Sequence, residues 1–305
     1  MRILCGTDLL PKASSALDRA GMLALRLDAE LTLLHVVPLT ESERMLEQDM
    51  QRARGLLESQ AKLPLWHHGV QPRVCVRSGG AARILIDTAT ELDASLVVLG
   101  THRKRPVRDA LAGTLAERLL GELECPVLIV HRMPWYAYRN VLLALDLSRA
   151  SANAVRAAED LVLPAGTRAS VVHAYQPPHD GILASAGIAG EVIDEYSERW
   201  KQQAYTGLSE LLGEVSEDSS RYDVVLENAT TTAAVQNVAA RLKPDLLVVG
   251  TRGRGRWRRA LLGSVANRIL SSVKSDVLVV PDRDTRGTWR NARADRLALD
   301  LVSGV

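Results

Sequence analysis

Cysteine is scarce. Cys5, Cys75 and Cys125 are the three in 305 residues, an odd set at apolar, strand-like positions. That excludes a disulfide framework. With no CxxC and no Cys/His cluster at ligand spacing, a zinc site is excluded as well. Charge of one sign is not in excess: 38 Lys and Arg against 36 Asp and Glu leave a formal net charge of +2. Nothing global draws the chain to nucleic acid or to a membrane surface, although local clusters can outweigh such a total. Long apolar runs are missing. No stretch approaches the roughly 20 residues that cross a bilayer, and the start, Met1 to Asp8, turns polar too early for a signal peptide. The expected compartment is a reducing cytoplasm, with no membrane partner.

What is present is a repeat. Leu4-Cys5-Gly6-Thr7-Asp8-Leu9 aligns with Leu142-Leu143-Ala144-Leu145-Asp146-Leu147 at an offset of 138, and His35 aligns with His173 at the same offset. Further on, Leu96 to Thr101 aligns with Leu246 to Thr251 at an offset of 150, which Gly113-Thr114 against Gly263-Ser264 also keeps. The two offsets differ by 12, so the second copy carries an insertion of that length after His173. The Pro- and Gly-containing stretch 176–190 is the place for it. In each copy, short apolar runs alternate with helical periods, which signals β/α units and a parallel sheet. Strands are predicted near 2–6, 31–37, 73–77, 95–99 and 127–131, then near 141–145, 169–174, 222–227, 245–249 and 276–280. Helices are predicted near 13–27, 41–61, 81–92 and 114–122, then near 150–162, 190–213, 231–242 and 264–273.

The fold class is therefore α/β: two tandem Rossmann-like doubly wound parallel-sheet domains, with five strands and about four helices each. The boundaries are 1–133 and 139–282, followed by a charged tail, 283–305. The join holds Pro134 with Trp135, Tyr136 and Tyr138, which is not the composition of a flexible tether. Strands 127–130 and 277–280 carry no charge or proline inside, so as sheet edges they would leave backbone groups uncovered. Pairing them with each other, in a pseudo-two-fold arrangement, is the expected cover; a homodimer is a further arrangement left open.

The chemistry is concentrated between Gly250 and Val265. Gly250, Gly253, Gly263 and Ser264 run from the end of a strand to the start of a helix, and Arg252, Arg254, Arg256, Arg258 and Arg259 lie among them. Glycines let backbone N–H groups approach an anion closely. A helix start adds free donors and a positive dipole end. Asp146 ends the first strand of the same copy and belongs on the same rim, where it could bond a ribose or base or hold a magnesium ion. The spacing G-x2-G-x9-G-S lacks the Walker lysine of a P-loop, and no glycine fingerprint follows the first strand as in a dinucleotide site.

This pattern resembles the ATP-binding type of universal stress protein domain, and the chain as a whole resembles a tandem universal stress protein. The resemblance covers about 1–131 and 139–281. It implies ATP or a related adenine nucleotide, with magnesium as an accompaniment. The residues it implies in the second copy are Asp146, Ala174, Gly250, Arg252, Gly253, Gly263 and Ser264, flanked by Ala144, Val249 and Val265. In the first copy Asp8, Val36, Gly100, Gly113 and Thr114 correspond, but Arg103 stands where the second glycine belongs. A guanidinium then crowds the place where backbone meets phosphate, so the first site is expected to be weak, altered or empty.

Other candidates read as structural. His67-His68 point apart on a loop. His35 and His173 read as satisfied rim histidines at the ends of the second strands, Ser14, Ser15 and Ser148 as helix caps. Tyr196, Trp200 and Tyr205 read as core or domain packing, and Glu41, Glu43 and Glu47 as a solvated helix start. The expected function is a nucleotide-dependent sensor or regulator in a stress response. The alternative is a slow ATPase or a nucleotidyl-transfer enzyme using the same loop. Nucleic-acid binding is disfavoured, since no recognition motif accompanies the arginines.

Overall fold

The computed structural model describes residues 1–10, 14–62, 69–100, 114–134, 136–164, 166–178, 190–251 and 274–282. The Arg-rich loop and helix expected over 252–273, Arg103 and Gly113, His67-His68, most of the insertion and the charged tail lie outside the described residues.

The first half runs β1 (Arg2–Gly6), α1 (Ser14–Leu27), β2 (Glu30–Val37), α2 (Glu43–Lys62), β3 (Arg73–Ser78), α3 (Ala81–Glu91), β4 (Leu96–Gly100), α4 (Thr114–Glu122) and β5 (Val127–Val130). The second runs β6 (Val141–Ala144), α5 (Arg149–Ala157), β7 (Ala169–Tyr175), α6 (Gly190–Val215), β8 (Tyr222–Asn228), α7 (Thr231–Leu242), β9 (Leu246–Gly250) and β10 (Asp276–Val280). A π-helical turn, Ala158–Val162, prolongs α5. All ten expected strands form.

They join into one ten-stranded sheet of order β3-β2-β1-β4-β5-β10-β9-β6-β7-β8. Pairing is parallel within each half, and β10 runs antiparallel to β5. Across that seam Leu128 faces Leu278, flanked by Val127 against Val279 and Ile129 against Val277. Leu128 and Leu278 are themselves equivalent at the 150 offset. A pseudo-two-fold axis therefore passes between them, which is why the strand order reads the same from both ends.

The sheet separates two apolar layers. On one face Ile3, Cys5, Val98, Leu143 and Val248 pack against α1, α2, α5 and α6 through residues such as Leu17, Leu57, Ala154 and Leu208. On the other, Leu4, Val97, Leu142, Leu247 and Val249 pack against α3, α4 and α7 through Leu85, Leu119 and Val235. Successive strand residues point to opposite faces, so strands covered on both sides become unbroken apolar runs. Each buried Leu or Val side chain contributes roughly 1.5–3 kcal/mol by leaving water.

Helix starts follow capping chemistry. The Ser148 hydroxyl accepts from the Ser151 amide at the start of α5, and the Thr230 hydroxyl accepts from the Ala233 amide at the start of α7. Ser148 is thus a cap as expected. Ser14 and Ser15 are instead the first two residues of α1 itself. Glu41, Glu43 and Glu47 are exposed around the start of α2, in line with a solvated helix start. On the long α6 only Ala204, Leu208 and Leu212 are buried. Tyr196 and Trp200 pack edge to face at 6.3 Å, and the Tyr196 hydroxyl donates to the Pro178 carbonyl at 3.2 Å. Tyr205 does not join them: it is 48% exposed. Nine residues at about 100° per residue carry it half a turn from Tyr196, onto the solvent side.

Candidate functional site

In each half the strand order changes direction beside the first strand. In the second half β6 lies between β7 and β9, with Ala144 in register with Val172 on one side and Val249 on the other. The crevice beyond the carboxyl ends of such neighbouring strands is where open α/β sheets take ligands. Asp146 follows β6 and Gly250 ends β9, so the two sequence-predicted residues meet at this point of the sheet.

The loop after β6 is tightly specified. Leu145 is 3% exposed and its amide donates to the Val172 carbonyl. Its own carbonyl accepts from His173 Nδ1 at 2.8 Å. A carbonyl can only accept, so Nδ1 of His173 carries a proton. Asp146 and Ser151 bond reciprocally: the Asp146 amide donates to Ser151 Oγ at 2.8 Å, and Ser151 Oγ donates to Asp146 Oδ1 at 2.7 Å. The Ser148 amide adds a bond to the same carboxylate oxygen at 3.2 Å. Leu147 then takes a left-handed conformation, φ 62°, which costs a non-glycine residue roughly 1–2 kcal/mol. Its side chain rests on Gly207 of α6, where an added Cβ would come within 3.2 Å of it.

The first half repeats the device. Leu9 also has φ 62°. The Thr7 carbonyl accepts from His35 Nδ1 at 2.9 Å, and Asp8 Oδ1 accepts from the Leu10 amide at 3.0 Å. Gln60 reaches from α2 to bond the Leu9 carbonyl at 3.0 Å. Both histidines are therefore held by loop carbonyls, as satisfied rim residues. Neither ends its strand: β2 continues to Val37 and β7 to Tyr175.

Ala174 follows His173 on β7, half-buried, opposite Glu227 of β8. Val249 is 3% exposed, part of the apolar layer under the rim. Gly250 abuts α5, where an added Cβ would come within 2.9 Å of the Ala150 methyl. Beyond it the Thr251 amide donates to the Val280 carbonyl, and Thr251 Oγ1 accepts from the Asp282 amide at 3.2 Å. Arg149 closes this edge, with Nε 3.1 Å from Asp282 Oδ1. In the first half Val36 is half-buried on β2, Gly100 is exposed at the end of β4, and Thr114 opens α4. Arg252, Gly253, Gly263, Ser264, Val265, Arg103 and Gly113 lie outside the described residues.

The sequence reading missed Ser151, Leu147 and Arg149. Ser151 had a weak signal, the Ser148-x-x-Ser151 spacing of a helix start. Among the described residues no group of three or more His, Cys, Asp or Glu could hold a metal ion. No described helix is long and apolar enough to cross a membrane.

The universal stress protein family profile matches residues 1–131 and again 137–281. The chain belongs to the universal stress protein family. A universal stress protein of Mycolicibacterium smegmatis is 28% identical over 299 residues, covering 92% of this chain and 97% of its own. One from Mycobacterium tuberculosis (strain ATCC 25618 / H37Rv) is 26% identical over 265 residues, covering 82% and 86%. Among solved structures, a universal stress protein from Archaeoglobus fulgidus superimposes with a TM-score of 0.63 at 18% identity, covering 93% of this chain and 97% of the other. A protein of unknown function from Pseudomonas aeruginosa PAO1 gives 0.64 at 17%, covering 96% and 97%. These likenesses concern the fold, and they extend over both halves of this tandem universal stress protein.

Proposed function

We propose that this universal stress protein is a cytoplasmic regulator that binds ATP or a related adenine nucleotide, chiefly in its second half, and changes its contacts with the ligand state. The observation that carries this reading is the meeting of the Asp146 loop and the end of β9 at the switch point between β6 and β9. From Gly250 the chain leads directly into Arg252, Gly253 and the Gly263-Ser264 pair. Phosphates bound there would lie beside Asp146, with Ala144, Ala174, Val249 and Val265 toward the base and sugar.

Two differences favour the second half. Arg103 replaces a glycine in the first. At the 138 offset Ala13 also stands where the second half has Ser151, whose hydroxyl fixes the aspartate loop there. Asp146 Oδ1 is committed to Ser148 and Ser151. We therefore assign this carboxylate to shaping the loop, and any magnesium would arrive with the triphosphate. The working units are 1–133 and 139–282, held together along β5 and β10, with 283–305 as an appendage.

ATP is expected to raise the melting temperature of the wild-type chain. Gly253→Asp and Gly263→Asp, each placing a carboxylate among the phosphates, are expected to abolish that rise. If both variants keep the full rise, the phosphates bind elsewhere.

A further inference from the structure

The seam between the halves is apolar and nearly symmetric in its strands, yet one polar cluster beside it is not. Asp276 opens β10 and is 1% exposed. Its Oδ1 accepts from the amides of His131 and Arg132, at 2.8 and 3.1 Å, just past the end of β5. Its Oδ2 accepts from the Tyr138 hydroxyl at 2.7 Å and lies 3.5 Å from Arg19 Nε. Arg19 comes from α1 of the first half and is 5% exposed. Its guanidinium lies over the Tyr138 ring, 3.9 Å from the centroid, and donates to the Tyr136 carbonyl at 3.0 Å. One carboxylate of the second half thus gathers a helix, a strand end and the connecting segment of the first. Two α1 turns further on, Arg26 donates to the Leu161 carbonyl in the π-helical turn that prolongs α5.

The charges of this cluster are not repeated by the pseudo-two-fold axis. At the 138 offset Arg19 corresponds to Ala157 and Arg26 to Pro164, and at the 150 offset Asp276 corresponds to Pro126. Two second halves joined by the same seam would bury both aspartates opposite alanine. Two first halves would bury both arginines opposite proline. A buried charge that loses its partner is strongly destabilising, and penalising wrong pairings is as effective for selection as rewarding the right one.

We propose that Arg19, Tyr138 and Asp276 form a one-sided clasp that commits each half to the other half of the same chain, against pairing of like halves between chains. The apolar strands supply adhesion that either half could offer; the clasp supplies the choice.

The test uses the full-length chain with Arg19→Met, Asp276→Asn, and both together. Hydrogen exchange is followed in the seam strands 127–130 and 276–280, with 30–37 and 169–175 as internal references. Sedimentation over a wide concentration range reports association. Each single variant is expected to speed seam exchange by about tenfold or more, the change that ~1.4 kcal/mol of opening produces. The reference strands should not change, and concentration-dependent association should rise over wild type. The double variant, with no charge left unpaired, is expected to lie closer to wild type than either single. Tyr138→Phe, which keeps the ring and removes one hydrogen bond, is expected to show a smaller effect of the same kind and serves if a single variant does not fold. Equal acceleration in the reference strands, unchanged seam exchange, unchanged association, or a double variant as impaired as the sum of the singles would overturn the proposal.

Discussion

Gly250 and Ala150 touch with no room for a side chain between them. A Cβ on Gly250 would come within 2.9 Å of the Ala150 methyl and 3.2 Å of its backbone carbonyl. Gly250 is not among the residues with a left-handed backbone, so close packing of β9 against α5, rather than conformational freedom, demands a glycine there. Overpacking a filled site costs typically 1–3 kcal/mol. Gly250→Ala is expected to lower unfolding free energy by about that amount, measured by urea denaturation. Adding Ala150→Gly should recover part of the loss. No loss in the single variant would mean that the glycine serves the ligand alone.

His173 has a different duty, holding the Leu145 carbonyl and with it the approach to Asp146. Losing a hydrogen bond to a buried carbonyl costs about 1–3 kcal/mol. His173→Ala should lose stability in that range and weaken nucleotide binding more than nucleotide-independent properties. The tautomer offers a direct check. Nitrogen shifts of neutral His173 should report protonation at Nδ1; a proton on Nε2 instead would contradict the bond to Leu145.

The doubling of the fold was legible because strands buried on both faces leave unbroken apolar runs at a fixed offset. Leu96 to Leu99 and Leu246 to Val249 could hardly be anything else. The loop geometry was not legible. Leu9 and Leu147 adopt a backbone that leucine disfavours, so residue type gave no warning, and what sustains Leu147 is its seat on Gly207 of a distant helix. Ser151 stood unnoticed beside the Ser148 cap, because its bonds to Asp146 exist only once the loop and α5 are folded together. Tyr205 was misread because near-helical spacing from Tyr196 and Trp200 was not followed round the helix to the side it reaches.

The cysteines give a pH test. Burial, reinforced by the charge of Asp18, pushes the Cys5 thiol up to about 12. Burial likewise pushes Cys125 up to about 12. In the unfolded chain both ionise near 9.0. A folded value raised in this way favours the native state fully below the unfolded value and ceases to do so as pH rises toward the folded one. The melting temperature should therefore fall between pH 9.0 and about 12, and Cys5→Ala should flatten that fall. At mildly alkaline pH a thiol reagent should modify half-buried Cys75 first. Rapid modification of all three cysteines in the folded chain would contradict the burial of Cys5 and Cys125.

The asymmetry between the halves makes the last prediction. Both carry the aspartate loop, the histidine tie and the strand-end glycine, so architecture alone would give two equivalent sites. Arg103 and Ala13 distinguish them. On the proposed site, an arginine where the loop calls for a left-handed glycine would cost roughly 1–2 kcal/mol, weakening binding by about five- to thirty-fold, and the bulk of its guanidinium would add to that. Calorimetric titration with ATP should therefore find one tight site per chain. Arg103→Gly should strengthen the weaker site, and Arg103→Gly with Ala13→Ser should strengthen it further by supplying the hydroxyl that orders the aspartate in the second half. Two equal sites in the wild-type chain would mean that neither residue governs access to the phosphates. A tight site that survives Gly253→Asp but is lost with Gly113→Asp would place the competent half first.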